Sequence, residues 1–160
     1  MWMDAPLLRI YLRDHHAAAA GGVALARRAL GASDPIAAQI AEDRETLEAI
    51  MGQLGVSANP LKVGLVQILE RLGRLKLNGR FLRRSPLSDV VELETLVVGV
   101  RGKEALWTAL RTAGVRLEGI DLDALVDSAR AQGAAIEARR VGAVANAFVG
   151  APPAASHQVA

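Results

Sequence analysis

Three dipeptides constrain this chain more than anything else in it: Asp34-Pro35, Asn59-Pro60 and Ser85-Pro86. Each places a side chain that accepts hydrogen bonds from free helical N–H groups directly before a proline, whose fixed φ and missing N–H suit the first helical position. Gly31, Gly55, Asn78-Gly79 and Gly114 supply matching stops, because a residue in the left-handed conformation closes a helix. Asp121 can cap a last helix that runs until Gly150 and the Pro152-Pro153 pair. Five helices are predicted: A over 6–30, B over 35–54, a connecting helix over 60–77, C over 86–113 and D over 122–149.

Periodicity agrees with these limits. Helix B reads Ile36, Ile40, Asp43, Leu47, Ile50, Leu54, a three–four spacing that makes one stripe with Asp43 as its only polar member. Helix D gives Leu122, Leu125/Val126, Ala129, Gly133, Ile136, Arg140, Val144, and helix A gives Leu8, Tyr11/Leu12, His15, Ala18/Ala19, Gly22, Leu25. The run Leu96-Val97-Val98-Gly99-Val100 is the one β-like stretch. A lone strand would have no partner for its backbone groups, so it is assigned to helix C.

At 160 residues and 51% hydrophobic content the chain can bury a core, and one domain over 1–150 is expected, with a disordered tail over 151–160. It contains no cysteine, which excludes disulfides, thiolate-held metals and thiol catalysis. The N-terminal stretch has no basic region followed by an unbroken apolar run, and charges interrupt every later apolar segment. These features predict a cytoplasmic protein with no membrane partner. Nineteen Lys and Arg against seventeen Asp and Glu leave a net charge of only +2.

Linker lengths set the expected topology. The short turns at 31–34 and 114–120 make A/B and C/D antiparallel hairpins, whereas B and C are separated by all of 55–85. A connector of about 30 residues can return along a bundle whose helices are about 30 Å long, so B and C can run parallel.

Two hairpins, a long crossover, and polar residues midway along all four stripes together resemble the ferritin-like superfamily over about residues 6–149. The resemblance implies an all-α four-helix bundle with an extra helix in the crossover. In metal-binding members two irons or manganeses are held by a Glu from each of two helices and a Glu-x-x-His pair from each of the others. The positions that match here are Asp14 or His15 on A, Asp43 or Glu42 on B, Glu94 on C and Glu137 on D. No Glu-x-x-His occurs: Thr46 stands three residues after Asp43, and Arg140 three after Glu137. A guanidinium has no lone pair to donate and opposes a metal at that position.

The expectation is therefore a polar core of Asp14, His15, Asp43, Glu94, Gln132 and Arg140 in place of a metal centre. Buried carboxylates need a partner, and Arg140, which continues the helix D stripe, is the expected cation for Asp43 and Glu94 ahead of Arg139. Such a network fixes helix register. Tyr11, four residues before His15, is expected to hydrogen-bond to it. Nucleophile elbows, phosphate loops and dinucleotide fingerprints are absent from the sequence.

Arg71, Arg74, Lys76, Arg80, Arg83 and Arg84 form the most one-sided charge run. It reads as solvated surface, since only Phe81 among them could stack on a base. The connecting helix carries Leu65, Ile68/Leu69, Leu72 and Leu75, which pack the side of the bundle or a second subunit. With Trp107, whose simplest placement is the core, this stripe motivates an expected homodimer.

The functional expectation is a non-catalytic binding or assembly module without a cofactor. The alternative is a divergent di-iron or di-manganese oxidoreductase or ferroxidase using His15, Asp43, Glu94 and Glu137. A third is an anion or nucleic-acid binder acting through Arg71–Arg84.

Overall fold

A computed structural model of the chain describes residues 5–57 and 85–149, and every regular element among them is an α-helix. They are α1 (Ala5–Leu30), α2 (Pro35–Gln53), α3 (Pro86–Thr112) and α4 (Leu122–Phe148). Residues 60–77, for which a connecting helix is predicted, the basic run Arg71–Arg84 and residues 151–160 lie outside the described residues.

The caps predicted within the described residues are in place, while Asn59-Pro60 and Asn78-Gly79 lie outside them. Asp34 accepts from the Ile36 N–H with Pro35 in the first turn of α2, and Ser85 forms a reciprocal capping pair with Ser88 at the start of α3. Asp121 accepts from the N–H groups of Asp123 and Ala124. Gly31 and Gly114, with φ of 102° and 69°, take the left-handed conformation after α1 and α3. The stretch Leu96–Val100 is helical within α3.

Cross-helix hydrogen bonds give the directions. His16 meets Glu48 at 2.9 Å while Arg13 donates to the Ser57 carbonyl at 3.2 Å, so α1 and α2 are antiparallel. Arg111 pairs with Asp123 and Arg130 with Glu104, so α3 and α4 are antiparallel as well. Between the hairpins, Arg139 bonds Asp34 at 2.7 Å, Gln132 bonds Asp43 at 3.0 Å, and Gln53 bonds the Glu118 carbonyl at 2.9 Å. α2 is thus antiparallel to α4 and parallel to α3, and residues 54–85 join the two parallel helices.

Asp34 serves both roles at once, capping α2 and receiving Arg139 from the other hairpin. The Arg139 hydrogen bond holds its carboxyl below the ordinary carboxylate range. Asp34→Ala is expected to cost about 1–2 kcal/mol and Asp34→Asn less, because the amide oxygen can still cap. With its folded value depressed, the carboxylate's contribution is complete above its unfolded pKa of about 4 and is lost as pH falls through the folded value. Chemical melts of wild type and Asp34→Ala should therefore converge in acid.

Candidate functional site

The core consists of two apolar clusters stacked along the bundle. One contains Leu12, Leu47, Ile50, Leu106, Trp107, Leu110 and Val126; the other contains Val23, Ala26, Ile40, Leu93, Leu96, Val100 and Ile136. Between them, at the level where α2 passes from Ile40 to Leu47, lie the buried polar side chains Asp43 and Gln132, 8% and 2% exposed.

The cation that meets them is Lys103 of α3. Its Nζ donates to Asp43 Oδ2 and to Gln132 Oε1, while Gln132 Nε2 donates to the same Asp43 oxygen at 3.0 Å and to Ser128 Oγ at 3.2 Å. One carboxylate, one ammonium and one amide thus form a closed triangle contributed by three helices. Burial pushes the Lys103 ammonium below the usual lysine range, and the facing carboxylate opposes that shift. The arrangement follows the rule that a charge taken out of water must be paired and hydrogen-bonded.

Several expected members of this network are elsewhere. Asp43 and Gln132 are buried together, but Asp14 and Glu94 are exposed. Arg140 does not reach Asp43: its Nε and Nη2 make two 2.7 Å bonds to Glu137 on its own helix, three residues back, which satisfies the guanidinium at the surface. Arg139, the other candidate, holds Asp34. Glu94 is out of phase with the buried face of its helix. α3 buries Val90, Leu93, Leu96, Val100, Leu106, Trp107 and Leu110, a face that turns Glu94 outward and carries Lys103 inward.

His15 is half-buried and stands edge-on to Tyr11, with ring centroids 4.6 Å apart at 74°, so the contact is between rings in place of the expected hydrogen bond. Burial lowers the His15 pKa and the neighbouring Asp14 opposes that effect, leaving the imidazole neutral at pH 7. His16 is the imidazole that crosses to α2, bonding Glu48. Trp107 is 1% exposed and belongs to the core, which removes it from any subunit interface.

The four metal-ligand candidates are not brought together. Asp43 is occupied by Lys103, Glu137 by Arg140, Glu94 faces solvent, and His15 packs on Tyr11. Among the described residues there is no group of three or more His, Cys, Asp or Glu side chains able to hold a metal ion.

A cavity of about 670 Å³ adjoins the polar layer on its α1 side. The middle of its α1 wall is Ala17, Ala18, Ala19, Gly21 and Gly22, and this run of small residues leaves the space unfilled. A Cβ built on Gly22 meets nothing within 4 Å. The polar part of the lining comprises Arg13, Asp14 and His15 from α1, Asp43 and Arg44 from α2, and Thr95, Lys103 and the Trp107 indole from α3. The volume lies within the range of small-molecule sites, about 300–1,000 Å³. Among the described residues no helix is long and apolar enough to cross a membrane.

The sequence matches no protein-family model, no curated protein and no solved structure.

Proposed function

We propose that this protein is a non-catalytic helical binding module, a ferritin-like bundle in which the Lys103–Asp43–Gln132 layer takes the place of a di-metal centre and the adjoining cavity is the binding site. The parallel course of α2 and α3, joined through residues 54–85, supports the ferritin-like topology. The observation that carries the functional reading is the Lys103 ammonium seated on Asp43 between two apolar clusters. A cation fixed there supplies the positive charge that a metal would otherwise bring to that level, and two of its three N–H bonds are placed on Asp43 and Gln132.

Elemental analysis of protein purified without a His-tag tests the proposal most directly. Iron, manganese and zinc are each expected well below one equivalent per chain. Stoichiometric iron or manganese lost on substituting Asp43 would overturn it in favour of a di-metal oxidoreductase. The homodimer expected from the 65–75 stripe remains part of the proposal. Light scattering at high micromolar concentration checks it, and a monomer there removes it.

A further inference from the structure

Resting on the reading of the cavity as a binding site, we propose that its ligand is a mainly apolar molecule bearing a carboxylate, taken up through hydrogen-bond donors that the protein leaves without acceptors. The lining of the cavity is asymmetric in its hydrogen bonding. Trp107 is almost fully buried, and its indole Nε1–H has no acceptor among the described residues. The Nε–H of Arg44, another lining residue, is buried and equally without an acceptor. Lys103 has three N–H bonds and places two of them, on Asp43 and Gln132.

No buried side-chain acceptor among the lining residues is left without a donor. Native interiors pair nearly all their buried polar groups, so unmatched donors beside an empty volume define what should enter it. The complement is an acceptor that brings no donors of its own.

Charge favours the ionised acid over a neutral carbonyl. The lining holds Arg13, Arg44 and Lys103 against Asp14 and Asp43; Arg44 is paired through Nη2 with Glu48 at 3.2 Å and Lys103 with Asp43, so Arg13 is the cation whose charge no carboxylate among the described residues meets. Arg13 bonds only the carbonyl and hydroxyl of Ser57, leaving its charge without a carboxylate among the described residues. The rest of the lining, Ile10, the Ala17–Ala19 run, Leu25, Ile40, Leu47, Leu96 and Val98, offers an apolar bed for a hydrocarbon or aryl body.

The test compares decanoate, decanol and decylamine on the full chain by calorimetry and by the indole N–H resonance of Trp107, assigned by its loss in Trp107→Phe. Decanoate should bind, move that resonance and raise Tm, with decylamine at least tenfold weaker and decanol between them. Gly22→Leu, which grows a side chain into open space, should abolish decanoate binding while its own melt stays cooperative. Trp107→Phe keeps the aromatic packing and should weaken decanoate about fivefold to tenfold through loss of one donor.

If decylamine or decanol binds as tightly as decanoate, the carboxylate assignment is wrong and the binding-site reading survives. If none of the three binds at millimolar concentration, or if Gly22→Leu leaves decanoate affinity unchanged, the cavity is not the site and both fall.

Discussion

Lys103→Met is expected to destabilise the protein by about 3–5 kcal/mol at neutral pH, because it leaves the Asp43 carboxylate buried with only an amide facing it. The cause is the stranded charge more than the lost attraction, and a second substitution separates the two. Replacing the whole layer, Lys103→Met with Asp43→Leu and Gln132→Leu, should recover most of the loss, since buried ion pairs are often no more stabilising than apolar residues of similar volume. Lys103→Arg should recover little: the guanidinium fork does not fit the single Asp43 oxygen that Lys103 and Gln132 share. Urea melts that place Lys103→Met within about 0.5 kcal/mol of wild type would show Lys103 to be an ordinary surface cation.

Trp107→Ala should cost about 3–5 kcal/mol, the loss typical of emptying an aromatic site in a close-packed core. Among the described residues Trp107 is the largest of the fully buried side chains, and it packs in the cluster with Leu12, Ile50 and Leu106. Trp107→Phe should cost less than about 2 kcal/mol, since it retains most of the apolar volume and deletes an N–H that has no acceptor among the described residues. Equal losses for the two variants in equilibrium denaturation would mean that the indole N–H is bonded in solution.

Helix limits were legible because their causes are local. Asp34, Ser85 and Asp121 each bond N–H groups within three residues, and every described helix begins and ends within one residue of its expected place. The buried face of α3 was not legible. Val90, Val91, Leu93, Leu96, Val97 and Val98 make that helix apolar nearly all round, and only packing against α1 and α4 decides which side is inside.

The cation of the polar layer was obscured for a related reason. Arg140 and Lys103 both continue an apolar stripe, and although the sequence places Glu137 three residues before Arg140, only the packed helices decide whether Arg140 turns back to it or inward to Asp43. Glu137 claims Arg140 and leaves Asp43 to Lys103. Asp43 itself stood out because α2 is regular on both sides of it. The small residues of α1 were visible as part of a stripe. That they leave a cavity depends on what α2 and α3 place opposite them.

The layer also bears on the order of assembly. Asp43 belongs to the α1–α2 hairpin, whereas Lys103 and Gln132 belong to α3–α4. Each hairpin has its own short-range contacts and can zip up early, but the triangle closes only when one half of the molecule docks on the other. Interactions completed after the folding barrier show up in the unfolding rate and leave the folding rate nearly unchanged. Lys103→Met should therefore steepen escape from the native state, shortening its lifetime while the refolding arm of the chevron barely moves. The polar layer thus acts as a latch, whose strength is read as how long the folded molecule lasts.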